Sequence, residues 1–134
     1  MTPTDIKLHR KSGILELKWE DGGIYSLTAE FLRVHSPSAE VRGHGPGQEV
    51  LQTGKKDVRI DTIEPVGNYA VRLQFDDDHN TGIYSWEYLY ELCLNQANLW
   101  DTYLLRLKKA GARRENLPAG VQVVNIMPLN DSGE

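Results

Sequence analysis

The fold is decided by residues 69–93, which read YAVRLQFDDDHNTGIYSWEYLYELC. In the first part of this stretch the apolar side chains alternate strictly, at Tyr69, Val71, Leu73 and Phe75. Alternation with a period of two is typical of a β-strand that buries one face. After an acidic turn and one brief strand, apolar side chains recur every three or four residues, which is the period of a helix. The change of period predicts an α+β fold in which strands come first and helices last.

The strand pattern also extends towards the N-terminus. Residues 5–27 carry further alternating apolar positions and a turn at Asp21-Gly22-Gly23, which predicts a small antiparallel meander. Thr28 is a favoured helix N-cap and Glu30 complements the positive end of a helix. One short helix is therefore predicted over residues 29–34.

The middle of the chain combines a loop with a second hairpin. Residues 36–54 are rich in glycine and proline and contain few large apolar side chains, which predicts a long irregular loop. Long loops inside compact domains often carry function. Strands predicted over residues 58–64 and 69–75 follow the loop and form the hairpin.

The C-terminal helical pattern continues to Gly111 and is apolar around most of its circumference. A break near residues 95–98 gives two consecutive helices, because asparagine caps helices well and is a poor interior residue. One long helix would instead present an apolar patch to a partner; the break is the favoured interpretation. Residues 1–115 are predicted to form one domain. Residues 116–134 are predicted to be a C-terminal extension with an extended segment over residues 121–127 and a loose end.

Composition narrows the class of protein. A chain of 134 residues that is 40% hydrophobic and 25% charged can bury one core, and it resembles neither a disordered nor a membrane protein. The net charge of −4 and the small, scattered basic groups give no reason to expect a nucleic-acid partner. Cys93 is the one cysteine, which excludes an intramolecular disulfide. The N-terminus is unlike a signal peptide and no run reaches the ~18 apolar residues of a membrane span, so we expect a cytoplasmic protein with no membrane partner.

The chain lacks the residue patterns of the common catalytic classes. It has no Gly-x-Ser-x-Gly elbow, and Cys93 falls on an apolar helix face, where a thiol is typically packing. No histidine is followed two positions later by aspartate or glutamate, as a non-haem iron site needs. The stretch Gly43-His44-Gly45-Pro46-Gly47 lacks the Lys-Ser/Thr ending of a phosphate-binding loop. We therefore expect no catalytic residue, no bound cofactor and no enzymatic activity.

Two motifs carry a family resemblance. Residues 32–41 read LRVHSPSAEV and residues 78–89 read DHNTGIYSWEYL. Together they resemble the gamma-butyrobetaine hydroxylase-like N-terminal domain family, and the similarity extends over roughly residues 5–112. The resemblance implies a stand-alone bacterial domain of unknown function. In the fused hydroxylases this domain precedes a separate iron- and 2-oxoglutarate-dependent catalytic domain. That part has no counterpart in this sequence, so we expect no hydroxylase activity.

The resemblance also implies a zinc site that this sequence has altered. In the hydroxylases a Cys-Pro-Cys-x-x-Cys cluster and a distant histidine hold the zinc, a closed set typical of structural zinc. The matching positions here are Ser36, Ser38, Val41 and His79, of which only the histidine keeps its type. Serine hydroxyls stay protonated near neutral pH and valine offers no donor. Tight zinc binding is therefore expected to be lost.

A metal site of a different kind remains an alternative. His35 and His44 lie in the loop that replaces the zinc turn, and with His79 and an aspartate from residues 76–78 they could hold zinc or iron. A small enzyme that uses His35, His44 and neighbouring carboxylates is a third hypothesis.

The main functional hypothesis is a non-catalytic accessory or protein-interaction domain. It depends on the missing catalytic patterns, on the resemblance to a domain that accompanies others, and on the excess of aromatic residues in the C-terminal half. The candidate interaction residues are Tyr84, Trp86, Tyr88, Trp100 and Tyr103. Plain core packing is the alternative role for these side chains. The partner is expected to be a protein, and the choice between monomer and homodimer stays open.

Overall fold

The computed structural model describes residues 1–116, and its first sheet is the predicted meander. Strands β1 (Pro3–His9), β2 (Ile14–Trp19) and β3 (Ile24–Thr28) pair antiparallel in that order. The central strand buries Leu15, Leu17 and Trp19 on one face and exposes the residues between them more fully. This alternation is what positions the sheet against the core.

The second sheet is also three-stranded and antiparallel. It contains β4 (Ile60–Val66), β5 (Ala70–Phe75) and β6 (Gly82–Ser85) in that order. Val71, Leu73 and Phe75 are buried as predicted. Tyr69 was predicted to be the first buried residue of its strand, but it lies in the β4–β5 turn and is 58% exposed. Its amide donates to the carbonyl of Val66 across that turn.

The short helix is confirmed as α1 (Ala29–Val34), with the hydroxyl of Thr28 accepting from the amide of Phe31 at 3.0 Å. The C-terminal break is also confirmed, because α3 (Trp86–Leu94) ends and α4 (Gln96–Ala110) begins at Asn95. Gly111 then ends α4 in the left-handed conformation, which glycine adopts without steric cost.

The prediction of one long irregular loop over residues 36–54 is wrong in part. A four-residue helix, α2 (Ala39–Arg42), interrupts it, capped by the hydroxyl of Ser38. Beyond α2 the chain turns back so that the amide of Val50 donates to the carbonyl of Val41 at 2.8 Å. This return places residues 49–52 beside the ends of α1 and α2.

One buried cluster joins both sheets to α1 and α3, and a smaller cluster joins α1 to α4 through Val34, Tyr103 and Leu107. Cys93 belongs to the larger cluster, and burial raises the pKa of its thiol to about 11, which keeps it unreactive. Within residues 1–116 no helix is long and apolar enough to cross a membrane. The segment predicted over residues 121–127 lies outside the described residues.

Candidate functional site

A chain of hydrogen bonds through a buried serine and a buried histidine connects the α1–α2 region to the β5–β6 turn. The hydroxyl of Ser36 lies 2.8 Å from Nε2 of His79, and Nδ1 of His79 lies 2.9 Å from Oε1 of Glu40. Ser36 is 1% exposed and the His79 side chain 2%. Burial, followed by the positive charge of Arg33, lowers the pKa of His79. Both ring nitrogens of a neutral histidine are therefore occupied, one as donor and one as acceptor.

The remaining positions of this turn are also used in packing. The hydroxyl of Ser38 lies 2.7 Å from that of Thr81, which ties the same two turns together a second time. Val41 is buried at 6% exposure. A methyl group added to Gly82 would lie 2.5 Å from the hydroxyl oxygen of Ser36, so the space beside that hydroxyl is closed. Two hydrogen-bonded hydroxyls, a buried valine and one histidine do not fit a zinc ion.

The predicted metal-ligand histidines lie in different environments. Nδ1 of His35 donates to the carbonyl of Phe31 at 2.8 Å, and burial lowers the pKa of this imidazole. His44 is exposed in the loop after α2. In the part of the chain that the structure describes, no group of three or more histidine, cysteine, aspartate or glutamate side chains is placed to hold a metal ion.

The acidic turn supplies contacts within the fold. Asp77 accepts from Nε of Arg33 at 2.9 Å and from Lys55, and Oδ1 of Asp76 accepts from the amide of Arg59 at 3.0 Å. Arg33 also donates to the side chain of Gln52 at 3.0 Å. These bonds hold the segment around Gln52 against the second sheet and the end of α1.

A groove opens where this segment passes the helices. It has a volume of about 200 Å³, an apolar wall of Val34, Val41, Val50 and Leu51, and an aromatic wall of Tyr88 and Tyr103. Arg42, Glu49 and Arg106 line its margin. We call this set of residues the groove.

Hydrogen bonds to the backbone hold the aromatic wall of the groove in place. The hydroxyl of Tyr103 donates to the carbonyl of Gln52 at 2.8 Å, and that of Tyr88 donates to the carbonyl of His35. Burial raises the pKa of both phenols, that of Tyr103 to about 12. Each tyrosine therefore stays neutral and presents a fixed ring to the groove.

Two guanidinium groups flank this wall. The guanidinium carbon of Arg42 lies 4.8 Å from the centroid of the Tyr88 ring, a cation–π geometry. Arg106, also exposed, lines the groove one turn after Tyr103. Across residues 1–116, neither Arg42 nor Arg106 forms an ion pair with a carboxylate, whereas Arg33 and Arg114 do.

The five candidate interaction residues fall in different environments. Tyr84 is fully buried and donates to the carbonyl of Leu32, and Tyr103 is 4% exposed. Tyr88 and Trp100 are partly buried, and the rings of Trp100 and Tyr103 lie 5.3 Å apart. Trp86 is also partly buried but is turned to the β4–β5 turn, where its indole donates to the carbonyl of Asn68 at 2.8 Å. The structure thus places Tyr88 and Tyr103 in the groove, with Trp100 beside them.

Sequence reasoning did not single out Arg42 or Arg106. Each arginine stands in a stretch that reads as an ordinary polar surface, and only the contact between the α2 region and α4 brings them to one groove. A weak signal exists in the spacing of Tyr103 and Arg106, which are neighbours on one helix face at three residues' separation.

The protein is a small α+β domain with a surface groove. It contains two small antiparallel sheets, the capped helical turn α2 and the helical pair α3 and α4. The chain belongs to the gamma-butyrobetaine hydroxylase-like N-terminal family, whose model matches residues 6–90. This confirms the family that the two motifs indicated.

Solved structures support the same assignment. One protein with an NMR solution structure is 46% identical, with a TM-score of 0.76 over 92% of this chain and 98% of that chain. Another is 52% identical, with a TM-score of 0.74 over 92% and 93% of the two chains. A crystal structure of a protein with unknown function from Acidithiobacillus ferrooxidans, a member of the DUF971 family, is 42% identical. Its TM-score is 0.58, and the match covers 68% of this chain and 91% of that one. No curated protein matches the chain.

Proposed function

We propose that this domain is a non-catalytic accessory module that binds a protein partner through the groove. The observation that supports the proposal is that Arg42 and Arg106, which form no ion pair with a carboxylate among residues 1–116, lie beside the aromatic side chains of the groove. Tyrosine, tryptophan and arginine are the side chains that most often dominate the binding energy of protein interfaces. Tyr88, Tyr103 and Trp100 supply the aromatic part of such a surface.

The size of the groove favours a side chain of a protein over a small molecule. Its volume is about 200 Å³. Pockets for drug-sized ligands and cofactors usually measure roughly 300–1,000 Å³ and enclose most of the ligand. A groove of this size accommodates one large side chain that anchors a longer segment lying on the surface.

The Ser36–His79–Glu40 chain, in which the serine and the histidine are buried, supports a structural role in preference to catalysis. Its order matches that of a nucleophile, a general base and an orienting carboxylate. However, Ser36 is 1% exposed, and its hydroxyl lies against Gly82. A nucleophile must be reached by the substrate, and although Ser36 lines the groove, a residue with so little exposure gives a carbonyl group almost no access.

The proposal includes a cytoplasmic setting. Cys93 is the one cysteine of the sequence and is a buried, free thiol. A domain that needs no disulfide and keeps a reduced thiol in its core suits a reducing compartment.

Affinity purification from the native host tests the proposal. The full chain, with a small tag at its N-terminus, is compared with Arg106→Gln and with Trp86→Ala, which removes an aromatic side chain outside the groove. We expect a co-purifying protein that is retained by wild type and Trp86→Ala and reduced at least about fivefold by Arg106→Gln, as loss of a rim arginine implies. Equal retention by wild type and Arg106→Gln would contradict a role for the groove.

A further inference from the structure

The groove carries a positive charge on an otherwise acidic chain. Arg42 and Arg106 lie at its margin with one carboxylate, Glu49, whereas the whole sequence has a net charge of −4. Arginines that have no carboxylate partner among residues 1–116 create a local positive potential in an acidic protein, which attracts carboxylates and repels cations. Charge complementarity therefore points to an acidic group in the partner.

Arg42 is already held for this task by its contact with Tyr88. Arg42 also hydrogen-bonds the Tyr88 phenol with its side chain, and the remaining N–H groups of its guanidinium are available to a carboxylate. Because the stacking limits its motion before binding, less conformational entropy is lost when the carboxylate arrives.

The surface beside the groove is elongated. A second, more open depression of about 400 Å³ follows the loop from Gly43 to Pro46, and it shares Arg42 and Glu49 with the groove. At Gly45 in this depression, an added methyl group would meet no atom within 4 Å. Two depressions in series with an arginine between them fit an extended segment of chain better than a compact ligand.

Part of the groove lining is apolar. Val34, Val41 and Leu51 line the groove together with Tyr88 and Tyr103. An aliphatic side chain inserted there gains roughly 1.5–3 kcal/mol when it leaves water, which is enough to anchor a flexible segment.

We infer that the groove binds an extended acidic segment of a protein partner. One aliphatic side chain enters between Tyr88 and Tyr103, and an adjacent carboxylate pairs with Arg42 and Arg106. This inference rests on the proposed function and adds the chemistry of the partner.

Titration of the full chain with short blocked peptides, followed by backbone amide NMR, tests the inference. The probe is acetyl-Asp-Glu-Leu-Glu-Gly-amide. The neutral control replaces its acids with Asn and Gln, and the anchor control replaces its Leu with Ala. We expect the acidic leucine peptide to shift the amides of residues 41–52 and 103–106. Each control is expected to bind at least about tenfold more weakly, as loss of a charge-assisted hydrogen bond or of a buried aliphatic side chain implies.

A matched pair of variants separates the groove from general charge. Arg106→Gln is expected to weaken the acidic peptide about tenfold, whereas Arg113→Gln, which removes an exposed arginine outside the groove, leaves it within about twofold. Equal binding of the acidic and neutral peptides, shifts confined to other surfaces, or equally tight binding of inorganic phosphate would each overturn the inference. If the peptide fails while Arg106→Gln still releases a partner protein, only the acidic chemistry is wrong and the proposed function stands.

Discussion

Substitution of His79 by alanine tests whether hydrogen bonds alone hold the two turns together. The change removes a side chain that is 2% exposed and leaves the hydroxyl of Ser36 without its partner at 2.8 Å. Because that hydroxyl still accepts from the amide of Ser38 at 3.3 Å, its loss of the His79 bond costs about 1–2 kcal/mol, and the cavity left by a large buried side chain adds about 2 kcal/mol. The bond to Glu40 contributes less, because that carboxylate side chain is 64% exposed. We therefore expect His79→Ala to lower the free energy of unfolding by about 3–4 kcal/mol.

Urea unfolding followed by tryptophan fluorescence measures this loss. With a slope of about 1.5 kcal/mol per molar urea for a domain of this size, the midpoint falls by about 2 M. His44→Ala removes an exposed histidine of the neighbouring loop and is expected to change the free energy by at most about 0.5 kcal/mol. A loss below about 1 kcal/mol for His79→Ala, or equal losses for the two variants, would refute the reasoning.

Further predictions concern pH, the loop and the metal. Because burial lowers the pKa of His79, the unfolded chain takes up a proton that the folded chain excludes. The stability contributed by neutral His79 is therefore complete above pH ~6.5 and decreases below it. Urea midpoints at pH 7.5 and 5.5 test this, and a higher midpoint at pH 5.5 would contradict it. Gly43→Ala is expected to destabilise the fold by more than about 2 kcal/mol in the same assay, because φ of Gly43 is 72° and the new methyl would lie 2.0 Å from the carbonyl oxygen of Gln48. Gly45→Ala, the control, is expected to change the stability by at most about 1 kcal/mol. Similar losses for the two variants would contradict the strain at Gly43. Elemental analysis of the untagged protein is expected to find less than about 0.1 equivalent of zinc or iron. A variant with Ser36→Cys, Ser38→Cys and Val41→Cys, which restores the cysteines that the family resemblance implies, is expected to bind about one equivalent of zinc. A full equivalent of zinc in the unaltered protein would contradict the loss of the zinc site.

Local chemistry explains which parts of the fold could be predicted. Thr28 caps α1 with its hydroxyl, as capping chemistry predicts. Asn95 separates α3 from α4 in a different way, because its side-chain amide donates to the carbonyl of Glu91 at 3.0 Å and makes no capping bond to the first turn of α4. Helix α2 escaped prediction because it has four residues, too few to show a helical period. Tyr69 was misplaced because an aromatic side chain next to a strand looks the same in sequence whether the strand includes it or the turn does.

The candidate site was predictable only in part. Tyr88 and Tyr103 were expected to meet a partner, and both line the groove. The sequence did not indicate that Arg42 and Arg106 line the same groove, because they belong to different helices that only the tertiary fold brings to one surface.

Site-specific photocrosslinking in the native host tests whether a protein partner binds at the groove. A benzoylphenylalanine replaces Val50, which is 52% exposed at the edge of the groove, and in a second strain replaces Ile24, which is 60% exposed on the first sheet. If the partner binds in the groove, position 50 gives a discrete adduct with one protein and position 24 gives no such adduct. Arg106→Gln is expected to reduce the adduct from position 50. The same adduct from both positions, or none from position 50, would contradict an interaction domain that works through this groove.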